Sequence, residues 1–212
     1  SVGHVERYNP TISSVQNFLK SRGSGQILTI TARRFSNYPH RIRDVGVLFD
    51  LSIHDVDIIS YLLGEIPQSV LANGGKAMND IHEDHVALSL KYPSGIIGVC
   101  ETNWLTPMKV REVSIITDTH YIKVNSIKQE IELLTSSYQN IDVSNLFKAE
   151  MKLSKDKIIL NKVEPLATEL SDFLFSIYNT SRPLVTGEEG LSAVKIVQAG
   201  LDSLQNSKVI KL

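Results

Sequence analysis

The chain has 212 residues, of which 42% are hydrophobic and 21% charged, a composition typical of one folded domain and not of a disordered chain. Its 22 Lys and Arg against 23 Asp and Glu give a formal net charge of -1, so no basic excess indicates binding to nucleic acid or to an anionic membrane. A single cysteine, Cys100, excludes a disulfide within the chain, and the first residues lack a signal-peptide pattern, which together predict a cytoplasmic protein.

The first residues predict a strand followed by a helix and a second strand. Residues 2–8 alternate between apolar and polar side chains, as in a short strand. Asn9 and Pro10 suit the N-cap and the first position of a helix. Residues 26–35 are rich in Ile and Thr, which favour a strand.

Residues 44–64, DVGVLFDLSIHDVDIISYLLG, predict a helix of about five turns. Asp44 suits its N-cap and Gly64 its C-terminal end. The segment is long enough to cross a bilayer, but burying ionisable side chains in lipid is costly, and four of them interrupt it: Asp50, His54, Asp55 and Asp57. We therefore expect no membrane span.

The middle of the chain predicts a series of strands, at 67–77, 83–92, 95–105, 109–118, 120–125 and 129–134, with weaker signals at 149–154 and 157–163. The sequence YPSG at 92–95 predicts a hairpin turn. Amphipathic helices are predicted at 165–182 and 186–207, and a last short strand at 208–212. Strands grouped between helices indicate an α+β fold, with a large antiparallel or mixed sheet and helices packed on one face.

Polar residues of the 44–64 helix are expected on one side. Residues three and four apart share a helix face, so Asp50, His54, Asp57 and Tyr61 line up, while aliphatic residues occupy much of the rest. A carboxylate one turn before an imidazole can hold one ring nitrogen and raise the basicity of the other. We therefore predict that His54 is a catalytic proton acceptor and that Asp50 orients it.

Other interpretations of this stripe stay open. An Asp-x-x-x-His spacing alone favours a surface pair or a satisfied core histidine. The apolar surroundings favour a functional site, because burying several ionisable groups is costly unless they are paired or line a cavity. A metal site at His54 is disfavoured, since no second His or Cys has ligand spacing.

Two further groups of residues are weaker candidates. Residues 79–85, NDIHEDH, favour a solvated loop over a metal site, and a metal hydrolase would require this loop to meet His54 in space. Arg7, at the junction of the first strand and helix, could bind a ligand or pair with an acid. Four arginines near the predicted helix suit an anionic substrate, with ordinary surface charge as the equal alternative: Arg33, Arg34, Arg41 and Arg43.

Four segments, covering nearly the whole chain, are similar to parts of one family. Residues 44–64 resemble its Gly-rich lead into a helix with Asp-x-x-x-His-x-x-Asp, and VGHVERYNP (2–10) resembles the junction that follows its cofactor domain. Residues 83–104 resemble its central strands, and 165–212 its C-terminal helices. On these segments the chain resembles the Gfo/Idh/MocA oxidoreductases, the group of glucose-fructose oxidoreductase and inositol dehydrogenase.

The resemblance implies a reaction. His54 is then the acid/base that takes a proton from a sugar hydroxyl while hydride leaves the same carbon for NAD or NADP, and Asp50 supports it. VGHVERYNP and the connector NYPHRIRDVG are most similar to members acting on nucleotide-linked sugars, such as UDP-N-acetylglucosamine 3-dehydrogenases. The residues expected at the substrate are Arg41, Arg43, Arg7 and Asp57, with stabilisation of the helix as the other role for Asp57.

Two motifs of the family do not occur in this sequence, namely the Gly-rich phosphate loop of its Rossmann domain and a Glu-Lys-Pro motif. We therefore expect residues 1–212 to be the substrate-binding and oligomerisation domain, without the cofactor domain and inactive alone. The strands at 95–100 and 114–118 do not alternate cleanly, which predicts a homodimer or homotetramer through one face of the sheet. The alternative is a non-catalytic scaffold protein that keeps only this sheet-mediated dimer.

Overall fold

The computed structural model describes residues 1–21, 23–78, 80–139 and 150–212. The described part of the chain has the predicted α+β fold, with a mixed sheet and α-helices. The strands are β1 (Ile27–Phe35), β2 (Ser69–Gly75), β3 (His85–Lys91), β4 (Ile97–Asn103), β5 (Val110–Thr117), β6 (Tyr121–Asn125), β7 (Glu130–Gln139), β8 (Glu150–Ile158) and β9 (Ile210–Lys211). The α-helices are α1 (Pro10–Leu19), α2 (Ile53–Leu63), α3 (Pro165–Asn179) and α4 (Gly187–Asn206).

The nine strands form one sheet in the order β8-β7-β6-β5-β1-β4-β3-β2-β9. The pair β1 and β4 is parallel, and every other described pair is antiparallel. The hairpin predicted at 92–95 joins β3 to β4, and Gly95 adopts φ +87° there, a conformation that glycine takes without strain. The weak strand signal at 149–154 falls in β8, with Ala149 outside the described residues. Of the second signal, at 157–163, only Lys157 and Ile158 belong to β8, so the separate strand predicted there is wrong.

Helices α2 and α4 cover one face of the sheet and close the hydrophobic core. Side chains alternate across the strands, so β1 turns Ile30 and Ala32 towards this core. The opposite face is exposed and includes Ile97, Ile116 and Tyr121. No helix in the described ranges is long and apolar enough to cross a membrane.

The predicted strand at 2–8 is wrong. Residues Val5–Tyr8 form a 3-10 turn, which leads directly into α1. The start of α1 is as predicted, because Asn9 accepts a hydrogen bond from the Thr11 amide at 3.1 Å and Pro10 occupies the first helical position. Sequence alternation over a few residues cannot separate a short strand from such a turn.

The helix predicted from Asp44 begins later and in a different form. Residues Leu48–Ser52 make a π-helical turn before α2, in which the Ile53 amide bonds to the Leu48 carbonyl, and Asp44 is not the cap. The distant Glu83 satisfies this helix start, since its carboxylate accepts from the Leu48 amide at 3.1 Å. The predicted end is confirmed, with Gly64 at φ +68°.

Candidate functional site

A pocket of about 500 Å³, here called the His54 pocket, lies between the π-helical turn, the ends of β1 and β5, and the connector before α2. A cavity of this size is in the usual range for a small-molecule site. Its polar and charged lining includes Arg34, Arg41, Asp50, His54, Lys109 and Arg111. The structure therefore brings together four of the residues singled out from the sequence, His54, Asp50, Arg34 and Arg41.

His54 presents one ring nitrogen to this pocket. Its Nδ1 is sealed from solvent and has no hydrogen-bond partner among the described residues, so Nε2 is the nitrogen left to face the cavity. Burial, and then the nearby positive charge of Arg34, lower the pKa of His54 to about 3. The ring is therefore neutral at physiological pH, and the lone pair of its pocket-facing nitrogen is free to accept a hydrogen bond.

Asp50 does not orient His54 in the way predicted. Its carboxylate accepts a hydrogen bond from the indole Nε1 of Trp104 at 3.1 Å, and it makes no hydrogen bond with His54 in the described structure. The prediction assumed α-helical spacing, whereas Asp50 lies in the π-helical turn, where residues four apart are no longer stacked. Burial raises the pKa of Asp50, and the bond from Trp104 partly offsets this.

Beneath the pocket lies a buried network of charged side chains. Arg34 bonds to Asp55 at 2.9 Å and to Glu6 at 3.2 Å, and all three side chains are buried. Arg111 also reaches Glu6, at 3.0 Å, and remains partly exposed. These bonds fix Arg34 beside His54, because a buried cation without such partners would be strongly destabilising.

The lining of the His54 pocket is positively charged overall. Four cationic side chains, Arg34, Arg41, Lys109 and Arg111, face two carboxylates, those of Glu6 and Asp50. Such a lining suits a substrate that carries a phosphate or carboxylate group.

Lys109 and Arg111 were missed by the sequence analysis, although a signal for Arg111 was present. In β5, Arg111 falls on the same face as the buried Val113 and Ile115, and in β1 Arg34 shares a face with Ile30 and Ala32. A charged residue on the apolar face of a strand indicates a buried pair or a site. Lys109 precedes β5 and carried no comparable signal.

Arg7 and Asp57 lie outside the His54 pocket. Arg7 binds Asp57 through Nε at 2.9 Å and Nη2 at 2.7 Å, and binds Glu189 at 2.6 Å. Its guanidinium also lies 4.5 Å from the ring centre of Tyr61. These residues border a separate cavity of about 320 Å³ between α2 and α4. The structure places Arg7 and Asp57 in an internal ion pair, the alternative considered for Arg7, and does not bring them to the His54 pocket.

Arg43, expected at the substrate, is exposed and does not line the His54 pocket. The charge of a connector residue does not say which way the chain turns. Arg41, two positions earlier, does line it.

The loop at 79–85 does not meet His54, as the metal-hydrolase hypothesis required. His82 and Glu83 line a different cavity, of about 540 Å³. The carboxylate of Asp84 accepts hydrogen bonds from the amides of Ala77 and Met78, as in an ordered loop. Within the described ranges no three His, Cys, Asp or Glu residues gather in a metal-binding group, and Asn79 lies outside those ranges.

Known proteins resemble this chain in sequence over nearly its whole length. UDP-N-acetylglucosamine 3-dehydrogenase of Acidithiobacillus ferrooxidans is 23% identical over 95% of this chain and 60% of its own length. Inositol 2-dehydrogenase of Rhizobium meliloti is 24% identical over 100% of this chain and 64% of its own. The chain therefore spans less than two thirds of the length of these relatives.

Solved structures share the fold. A structure of the A. ferrooxidans UDP-N-acetylglucosamine 3-dehydrogenase matches this chain with a TM-score of 0.80 at 21% sequence identity. The match covers 97% of this chain and 61% of that chain. A levoglucosan dehydrogenase in complex with NADH and levoglucosan gives a TM-score of 0.81 at 16% identity, over 99% and 65% of the two chains. Residues 12–123, just over half of the chain, match the model of the GFO/IDH/MocA C-terminal domain. The chain belongs to the GFO/IDH/MocA family.

Proposed function

We propose that this chain is the substrate-binding domain of an NAD(P)-dependent sugar or nucleotide-sugar dehydrogenase, in which His54 is the acid/base. The observation that carries the proposal is the neutral His54 ring, with Nε2 facing a cavity of about 500 Å³ in a chain of this family. A general base must lie within hydrogen-bond reach of the proton that it takes, and Nε2 satisfies this for a hydroxyl bound in the pocket.

The proton step falls to residues of this chain. Nε2 of His54 accepts the hydroxyl proton of the substrate, and Arg34, held beneath the ring by Asp55 and Glu6, stabilises negative charge that develops on the substrate oxygen. Oxidation of the alcohol also requires a hydride acceptor, which NAD or NADP supplies when bound. The residues present here do not form a dinucleotide site, since no G-x-G-x-x-G loop joins a strand to a helix in the sequence, and we assign that site to a separate cofactor domain.

The charge of the pocket favours a nucleotide-linked sugar over a neutral one. Lys109, Arg41 and Arg111 lie where a diphosphate could be bound, while the sugar hydroxyl meets His54. With the cofactor domain present, Lys109→Ala should raise the KM for a nucleotide sugar roughly tenfold, the loss of one hydrogen bond to a charged group. Lys123→Ala, on β6 outside the pocket, is the control, and an equal effect of both variants would contradict this assignment.

The exposed face of the sheet supports a second part of the proposal, a homodimer or homotetramer through that face. Ile97, Ile116 and Tyr121 present apolar surface there, on three different strands. Sedimentation should show a dimer or larger species, and Ile97→Glu should shift it towards the monomer. A wild-type chain that sediments cleanly as a monomer would overturn this part.

Replacement of His54 tests the central proposal. In the enzyme that includes the cofactor domain, His54→Ala should lower kcat by roughly two to four orders of magnitude, the usual contribution of a general base. His120→Ala, a histidine packed against Phe18 and outside the pocket, should leave turnover unchanged. Near-normal turnover of His54→Ala would remove the assignment. The chain alone should not bind NADH in a fluorescence titration.

A further inference from the structure

His4 lies directly behind His54. It is the residue that precedes the 3-10 turn Val5–Tyr8, and it is only 4% exposed. Its ring stands edge-on to the ring of His54, with 6.0 Å between the ring centres and an angle of 83° between the planes. His4 does not line the His54 pocket, so any effect that it has on the substrate passes through His54.

Each of the two histidines has a buried ring nitrogen without a hydrogen-bond partner in the described part of the chain. Nδ1 of His4 and Nδ1 of His54 are buried, and neither has a hydrogen-bond partner among the described residues. A buried polar atom without a partner costs free energy, so such atoms are rare in folded proteins. Asp50, the partner expected for His54, is engaged with Trp104.

The carboxylate of Asp57 also lies next to His4. Oδ2 of Asp57 is 3.7 Å from Nδ1 of His4, slightly beyond hydrogen-bond distance. Arg7 holds Asp57 in place with two hydrogen bonds, of 2.9 and 2.7 Å. The order in space is therefore His54, His4, Asp57 and Arg7.

We propose that His4 is the positioning residue of His54. This inference rests on the proposed role of His54 as acid/base. The rings of His4 and His54 move slightly closer together when substrate binds. Nδ1–H of His54 then donates to Nε2 of His4, and Nδ1–H of His4 donates to Asp57. This fixes the tautomer in which Nε2 of His54 is unprotonated and faces the pocket. Hydrogen bonds of catalytic groups are often too long without substrate and shorten in its complex.

The charges around the two rings explain why a link from His54 to Asp57 would help the proton step. After Nε2 of His54 takes the substrate proton, the ring is an imidazolium with N–H groups on both nitrogens. Arg34, His4 and Arg111 all oppose this positive charge in the structure without substrate. In the proposed arrangement His4 is neutral and bonded to Asp57, so the carboxylate supports the imidazolium through the ring of His4. Burial lowers the pKa of His4, which Asp57 partly offsets, so His4 is neutral and free to accept a hydrogen bond.

The test is to read the ring tautomers by long-range ¹H–¹⁵N NMR on the chain labelled at its histidines, in the presence of saturating UDP-N-acetylglucosamine and at a pH where the rings are neutral. In the wild type, His54 should hold its proton on Nδ1. His4→Phe should convert it to a mixture of tautomers, and His4→Gln, whose side-chain oxygen accepts a hydrogen bond, should restore most of the Nδ1–H form. Asp50→Asn should leave the tautomer of His54 unchanged.

His120→Phe is the matched control, because His120 also stands edge-on to a ring, that of Phe18, with 5.4 Å between the centres. An unchanged His54 tautomer in His4→Phe, or a changed one in Asp50→Asn, would overturn the proposal. Should His4→Phe fail to fold, the comparison of His4→Gln with His4→Leu decides, since only glutamine can accept the bond.

Turnover of the enzyme with its cofactor domain separates this inference from the proposed function. His4→Phe should lower kcat by about 10- to 100-fold, the usual loss when the partner that orients a functional histidine is removed, with KM little changed. Normal turnover of His54→Ala would contradict the proposed function, whatever the tautomers are. Loss of turnover in His54→Ala together with a normal kcat in His4→Phe would contradict only the proposed role of His4.

Discussion

Helices α2 and α3 differ in which side chains they bury and which they expose. Helix α2 buries Asp55 and Asp57, whereas α3 exposes most of its large apolar residues, with Phe175 at 60% and Tyr178 at 82% exposure. Helix α2 lies against the sheet, where arginines from β1 and from the 3-10 turn neutralise its acids. Helix α3 packs on that 3-10 turn and leaves its other faces open. Burial in this fold therefore follows the place of a helix on the sheet more than its hydrophobicity.

The largest effect should come from the buried charges beneath α2. Arg34→Met leaves Asp55 and Glu6 buried without their cation and should lower the free energy of unfolding by about 3–5 kcal/mol. Arg33→Met removes only a half-exposed pair with Glu101 and should cost less than about 1 kcal/mol. Denaturant unfolding measures the free energy of unfolding of both variants. Equal decreases in the two would contradict the expected difference between a buried and a half-exposed ion pair.

Replacing one large apolar residue by alanine in each helix compares the burial of α2 with that of α3. Ile59→Ala, on the buried face of α2, should lower the free energy of unfolding by about 2–5 kcal/mol. Leu170→Ala on α3, where the leucine is 54% exposed, should change it by about 0.5 kcal/mol. A loss at Leu170 as large as that at Ile59 would show that α3 is buried in solution.

The decrease in the free energy of unfolding at acidic pH depends in part on His54. Its pKa in the folded chain is about 3, below the ordinary value near 6.5, so the unfolded chain binds this proton more readily and stability falls as pH drops below 6.5. This one group should remove roughly 2 kcal/mol between pH 7 and pH 5. His54→Gln should abolish that portion of the slope, while His40→Gln, at an exposed position, should not.

The smallest effect on stability is expected at the exposed aromatic residues of α3. Phe175→Gln should change the free energy of unfolding by no more than about 0.5 kcal/mol, because little of that ring is buried. Binding of a dye that fluoresces on apolar surfaces should fall in the same variant. Unchanged dye fluorescence would show that α3 is not the apolar surface in solution.

The sequence predicted those parts of the fold that depend on local chemistry. The start of α1 at Asn9 and Pro10 and the end of α2 at Gly64 follow from capping and backbone preferences, and both are confirmed. The π-helical turn at Leu48–Ser52 was not predictable in this way, because Glu83, distant in the sequence, supports it.

The site was only partly predictable for the same reason. His54 and Arg41 lie on one stretch of chain and were found together, whereas Arg111 comes from β5 and enters the pocket through the pairing of strands. Arg7 has the same charge as Arg41, yet the chain carries it to Asp57 on another side of α2. Charge and spacing show which residues are unusual, and the tertiary fold decides which of them meet.

The parallel pairing of β1 with β4 has a consequence for the order of folding. Strands β2, β3 and β4 are joined by short connections and can pair early, but β1 must wait for α2, β2 and β3 before it finds β4. Such a non-local step is expected to be slow. Since β1 carries Arg34, we expect the pocket to be completed in that late step, so an intermediate with the hairpins already formed would still lack the complete pocket.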